Sequence, residues 1–426
     1  MGLTRRALAA ASGMVMAGRA RAQTTLAPLV IGVLTDATGI GASVSGPPLV
    51  QAVLQAVQDT GALPDGRPLS VTYGSYQLKP AEALAVAGRW FDDGVSVIVD
   101  VPGSSAAAAV QALARLRGRT FLATGSVNPD LTGRLCSPLG SGWAIDSISI
   151  TTALAGTLAR SGTRTWFLVV PDSVLGQALQ TDASRSIEAA GGTVIGRSRH
   201  PAEVSDFTSI LAQAKNSGAQ AIGLCDVTKG LSDQIVQFQD GGLFGDGRKV
   251  VAFLPAIADI HAAGPAAARG LLLASPFYWN QNDQARSFAS RFFAATGQMP
   301  DAAHATAYVA VRHYLRAVIV SESLDADVIN KEMRRSPVYF FGRSGRLRID
   351  GRLYIDLFLL RVKDSGTTAQ AWDHYEQIGI IPASDIYRSL NQAGCALALS
   401  MAGQHRAATP GTAAMRRRIQ RGIGSV

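Results

Sequence analysis

The sequence predicts an α/β protein of two lobes, each a mostly parallel sheet flanked by helices. Three observations carry that reading. From Leu29 onward, short apolar runs rich in branched residues alternate with helix-length segments, a βαβα rhythm. The rhythm halts and begins a second time near Thr165. Glycine, serine and threonine, rather than charged residues, stand where several strands hand over to helices.

In chain order, LVIGVL is the first strand, and a helix follows from about Pro48 to Asp59. PLSVTYG is the second strand, and PAEALAVAGRWFDDG a helix stopped by Gly94. VSVIVDV, AAAAVQALARLRG and RTFLATG continue as strand, helix and strand. After GWAIDSISITTALAGTLARSG, the second copy runs through the strands TWFLVVP, TVIGRSRH, AQAIGLCD and KVVAFLP. SVLGQALQTDASRSIEAAGG, DFTSILAQAKNSG and LSDQIVQFQDGG are its helices. GLLLASPFYW then reads as a strand, and QARSFASRFFAATG and ATAYVAVRHYLRAVIVSES as helices. RLRIDGRLYIDLFLLRVKD reads as a hairpin turning at Asp350-Gly351. A helix-rich segment is expected from there to Ser400.

The chain has 426 residues, 47% of them apolar, enough for one large domain or two ordinary ones. The formal charge of +9 sits at the ends: four arginines precede Gln23, five follow Ser400, and neither segment holds an acid. The body is therefore neutral and lacks the positive footprint of phosphate-backbone binding, which excludes nucleic acid as a partner. Residues 1–22 read as an export signal to the periplasm, with a basic start, a short apolar run and Ala20-Arg21-Ala22 as cleavage site. Arg5-Arg6 resembles a twin-arginine signal; a Sec signal is the alternative. No later run is long enough for stable membrane insertion. Residues 401–426, rich in Ala, Gly, Thr and Arg, read as a disordered basic tail. Cys136, Cys225 and Cys395 leave two readings open, a Cys136–Cys395 disulfide or three buried thiols.

Gly39, Gly41 and Gly46 follow the first strand without the G-x-G-x-x-G spacing of a dinucleotide loop, and no acid ends the second strand. What the junctions offer instead is neutral donors. Ser43 and Ser45, then Gly103, Ser104 and Ser105, then Thr124, Gly125 and Ser126 follow three strands of the first lobe. Helix-start N–H groups and hydroxyls of this kind can receive a carboxylate, or the serines can cap helices. Asp172, Asp226 and Asp259 follow strands of the second lobe, as partners for an amino or hydroxyl group or as caps and surface acids. Tyr278 and Trp279 are candidates for a flat apolar wall or for the core. The histidines are scattered, and no zinc or esterase motif occurs, so no catalysis, metal or cofactor is expected.

Ordered blocks of the chain resemble the periplasmic solute-binding proteins of ABC importers, in the branched-chain amino acid and amide group. The blocks are the strand and D-x-(S/T)-G loop at Asp36, PDLTGRLCSP with GWAIDS, FYWNQNDQARSFASRFFAATGQMP, IDGRLYIDLFLLRVK and WDHYEQIGIIPASDIYRSLNQAGCALAL. The resemblance implies lobes joined by three crossovers, closing on a solute and docking on a membrane permease, with the chain a monomer. It implies residues 23–143 plus 270–343 for the first lobe and 144–269 plus 344–400 for the second. It implies that Ser43, Ser104 and Ser126, with Gly103 and Gly125, hold a solute carboxylate. It also implies that Asp172–Gly176, including Leu175, covers the solute and that Asp226 meets an amino group. Ala42, Ser43 and Leu175 stand where relatives place aromatic residues, which points to a larger aromatic or aliphatic acid.

Overall fold

The computed structural model describes residues 26–37, 44–227, 230–364 and 370–398. The export signal and the basic tail lie outside them. Two mostly parallel sheets form, each covered by helices on both faces.

The first sheet is parallel, in the order β2-β1-β3-β4-β5. Its strands are β1 (Leu29–Thr35), β2 (Leu69–Ser75), β3 (Val97–Asp100), β4 (Thr120–Ala123) and β5 (Gly140–Gly142). β3 and β4 are buried at every residue, as continuous apolar strands covered on both faces must be. α1 (Gly46–Thr60) starts on Pro47 and Pro48, whose missing N–H groups cost nothing in a first turn. α2 (Pro80–Asp92) and α3 (Ser104–Leu116) follow the next two strands. Gly32 in β1 has a packing reason: a Cβ there would stand 2.7 Å from the Trp90 ring of α2.

The second sheet has the order β15-β14-β10-β9-β8-β6-β7. β6 (Thr165–Pro171), β7 (Thr193–His200), β8 (Ala221–Leu224), β9 (Lys249–Ala252) and β10 (Leu272–Ser275) are its parallel part. α4 (Ser147–Arg160), α5 (Val174–Ala189), α6 (Thr208–Asn216), α7 (Gly230–Asp240) and α8 (Ile257–Ala263) flank it. β14 (Leu357–Val362) and β15 (Tyr375–Ile381) extend it antiparallel.

The chain returns to the first lobe between these parts. α9 (Asp283–Thr296) and α10 (Ala302–Ser321) pack on α1, where Asp59 takes Arg291 at 2.7 Å and the Tyr308 hydroxyl at 2.7 Å. α11 (Ala326–Arg335) packs on α10. β11 (Val338–Phe340), β12 (Arg343–Leu347) and β13 (Leu353–Tyr354) form a small antiparallel sheet.

Three expectations change. β10 lies in the second sheet, so the chain leaves that lobe after Ser275 and not at residue 270. The hairpin ends at β13; Ile355-Asp356 then carries the chain across to β14 in the second sheet. The stretch expected to be helix-rich holds β15, at the edge of the second sheet, and short helical turns such as α12 (Leu390–Ala393).

Two arginines, Arg352 buried and Arg343 half-buried, tie the passages between lobes. Arg352 meets Asp146 at 2.8 Å, both almost fully buried, and donates to Ala144 O and Thr132 Oγ1. Arg343 donates to Pro276 O and to Asp356 O and lies 4.2 Å from the Phe358 ring centre. Cys136 and Cys395 form a disulfide that fastens the segment after α12 to the first lobe, and Cys225 is a buried thiol.

Candidate functional site

β3 and β4 are neighbours in register, so the loops after them open side by side at the carboxyl edge of the first sheet. Ser104 and Ser105 form the first turn of α3 and are exposed. The first N–H groups of a helix have no partner within it, and they carry the positive end of its dipole. Gly103 precedes the helix, and its N–H donates to the Tyr76 hydroxyl at 3.0 Å. That donor is spent, and Gly103 leaves the set expected to face a solute.

From β4, Thr124 is buried, and its hydroxyl finds no partner among the described residues. An unpaired buried hydroxyl is costly, which marks it as a group awaiting a partner. Ser126 is buried and accepts the Asn128 N–H at 3.4 Å. Asn128 reaches back to Ser104 O at 3.3 Å and links the two loops. Gly125 has no room for a side chain: a Cβ would overlap the Asp100 carboxyl.

Beneath these loops lies a polar floor. Asp36 after β1 and Asp100 at the end of β3 are fully buried. Both Asp100 carboxyl oxygens are buried without a hydrogen-bond partner among the described residues, and the Thr35 hydroxyl accepts the Gly46 N–H at 2.6 Å. Burial pushes Asp100 up to about 7; the nearby Thr35 and Ser45 hydroxyls oppose this and Asp36 adds to it. Ser45 is itself buried. Ser43 lies outside the described residues.

At the second sheet the candidate acids are already engaged. Asp172 is exposed and accepts Gln177 Nε2 at 3.0 Å, while Ser173 caps α5 through Gly176 N–H at 3.0 Å. Leu175 is half-buried against the second core. Asp226 is fully buried with its carboxylate 3.6 Å from His200 Nε2. Asp259 accepts the Ala256 N–H at 2.8 Å at the start of α8, and burial pushes it up to about 7. Tyr278 and Trp279 are core residues: the Tyr278 hydroxyl donates to Asp373 and Trp279 Nε1 to Trp372 O at 2.8 Å. The flat apolar wall expected of them does not form, because both polar tips are tied inward. Among the described residues no group of three or more His, Cys, Asp or Glu is placed to hold a metal.

Sequence reasoning passed over Tyr76, Asp100, Asn128 and His200. Asp100 alone carried a signal, an acid closing the buried run VIVD.

A model of the periplasmic binding protein family matches residues 28–367. The chain belongs to that family. This periplasmic binding protein is similar in structure to a branched-chain amino acid ABC transporter periplasmic ligand-binding protein from Burkholderia xenovorans. Identity is 32% over 87% of this chain and 100% of that one, with a TM-score of 0.81. It is similar also to a periplasmic binding protein from Burkholderia mallei, at 30% identity over 87% and 99% of the chains and a TM-score of 0.79. A solute-binding protein from R. palustris in complex with benzoate shares the fold at 18% identity over 87% and 100%, with a TM-score of 0.74. Among curated proteins none matches. The family places this protein in the periplasm as the solute-binding component of an ABC importer, a non-catalytic role that delivers a small molecule to permease subunits. No helix among the described residues is long and apolar enough to cross a membrane.

Proposed function

We propose that this binding protein captures a small carboxylic acid as a monomer, by closing its lobes over the receiving edge of the first sheet. The carrying observation is the juxtaposition of the open first turn of α3 with the unpartnered Thr124 hydroxyl of the next strand. Both are uncharged donors, suited to holding an anion that must leave again. The second lobe supplies the cover through Asp172–Gly176, with Val174 strongly exposed at 86% and Leu175 beside it.

An acid lacking an α-amino group ranks ahead of an amino acid. Asp226, the candidate partner for an amino group, is shut away against His200. Relatives of the same fold hold benzoate, 4-hydroxybenzoate or 3,4-dihydroxybenzoic acid, which supports the reading. The related branched-chain amino acid transporter protein keeps a branched-chain amino acid as the alternative. A thermal-shift screen of branched amino acids, amides and aromatic or aliphatic acids tests the proposal. A carboxylic acid at 100 times its Kd is expected to stabilise by about 2.7 kcal/mol, without product formation. A screen in which only neutral amides shift the transition would refute it.

A further inference from the structure

Backbone strain collects at the receiving edge. Among the described residues seven non-glycine residues have positive φ, and four of them sit in the loops after β2 and β3. Asp100 (φ +84°) and Val101 (φ +58°) lead into Pro102-Gly103 and the first turn of α3. Gln77 (φ +51°) and Leu78 (φ +57°) follow β2. A left-handed backbone crowds the Cβ of an ordinary residue, so such positions persist only where the surroundings hold them, and they gather at sites that bind.

Gln77 and Leu78 are the two central residues of a tight turn, closed by the Lys79 N–H on Tyr76 O at 2.9 Å. Positive φ at both centres is the mark of a type I′ turn, whose usual occupants are Asn and Gly. Glutamine and leucine are costly there. Three of the four side chains in the turn have partners. The buried Tyr76 hydroxyl accepts the Gly103 N–H at 3.0 Å, which ties the turn to the start of α3. Gln77 Oε1 accepts Lys79 Nζ at 3.1 Å, and the same ammonium reaches Glu82 at 3.1 Å. Leu78 differs: it belongs to none of the hydrophobic cores, and 41% of it is exposed.

The place it occupies is specific. A Cβ built on Gly103 would stand 3.8 Å from Leu78 Cδ2, and the exposed Ser104 is the next residue. An apolar side chain is therefore held at the flank of the open first turn of α3. A small anion that lands on helix-start N–H groups still has a nonpolar body to take out of water, and binding clefts meet that need with apolar walls beside a few polar groups.

We propose that Leu78 is a specificity-determining residue of the receiving edge: the strained turn holds its isobutyl group beside the first turn of α3, where it packs on the nonpolar body of the solute. The proposal rests on the first lobe as receiver; the carboxylate reading enters only for how the other end of the solute is held. The class that fits is a small solute with a ring or a branched chain, in preference to a short or polyhydroxylated one.

The turn itself separates contact from architecture. Glycine is at ease at positive φ, so Leu78→Gly relieves the turn while removing the side chain. The test compares the full wild-type chain with Leu78→Gly and Leu78→Met by thermal unfolding, and by calorimetry with benzoate, benzamide and L-leucine as probes. Leu116→Ala, at an 80% exposed leucine at the far end of α3, is the control. Leu78→Gly should unfold at the wild-type temperature or above it, yet bind each probe that the wild type binds about tenfold more weakly. Leu78→Met, of similar volume, should keep the affinity within about threefold, and Leu116→Ala should leave it unchanged. Unaltered affinity in Leu78→Gly overturns the proposal and leaves the carboxylate reading standing. A Leu78→Gly chain that unfolds several degrees lower, or does not fold, also overturns it, because the leucine would then be holding the turn. If benzamide binds and the acids do not, the carboxylate reading fails, and a tenfold loss of benzamide in Leu78→Gly still upholds Leu78. If no probe binds the wild type, both fall.

Discussion

At the end of β3 and β4 in the first lobe, Ser104 and Ser105 stand exposed and the Thr124 hydroxyl lacks a partner. At the ends of β7 to β10 in the second lobe, the candidate acids and aromatic tips face partners of their own lobe. His200 faces Asp226, Asp259 caps α8, and the tips of Tyr278 and Trp279 bond Asp373 and Trp372. The same α/β junction thus serves two purposes. On the function proposed above, the first lobe keeps donors in reserve for recognition and the second acts as the cover.

The largest effect should come from the joint that both regions share. Arg352→Met leaves the Asp146 carboxylate buried without its partner, which should cost about 3–5 kcal/mol in denaturant unfolding. A loss below about 1 kcal/mol would mean that the passage between lobes does not depend on this pair. Next, Gly125→Ala forces a methyl into the Asp100 carboxyl and should destabilise by about 1–3 kcal/mol while abolishing solute-induced thermal shifts. Retained binding would break the assignment of the first lobe as receiver. His200→Ala should cost about 1–3 kcal/mol by removing the imidazole that faces the buried Asp226 carboxylate, yet leave the affinity for a carboxylic acid unchanged. An affinity loss there would move recognition toward the second lobe. The double change Ser104→Ala with Ser105→Ala should weaken the acid by about tenfold through lost hydroxyl donors, with stability nearly unaltered. Asp172→Ala, at an exposed acid bonded to its own helix, should change either quantity by about 0.5 kcal/mol at most.

The two lobes were also legible in the sequence to different degrees. Continuous buried runs such as TFLA and LVVP, bounded by glycines and serines, specify parallel strands by themselves, and the βαβ rhythm orders them. The passages were harder. β10 reads like any strand, and nothing local says that it stays with β9; that follows from its antiparallel pairing with β14, far along the chain. β15 was obscured because an edge strand mixes polar and apolar residues without a clear period, as in YEQIGII. At the site, serines and threonines at strand ends were visible, but their direction was not. Ser104 and Ser45 look alike in sequence, and one is exposed while the other is buried. The partner of the Gly103 N–H, Tyr76, lies tens of residues away.

The most direct test of carboxylate capture at the first lobe is a calorimetric comparison of an acid with its own primary amide, using benzoate against benzamide and L-leucine against L-leucinamide. The account predicts that the binding member of a pair is the acid, by about tenfold or more, from charge-assisted bonds to the α3 first turn and Thr124. Equal affinities for acid and amide, or tighter binding of the amide, would contradict it.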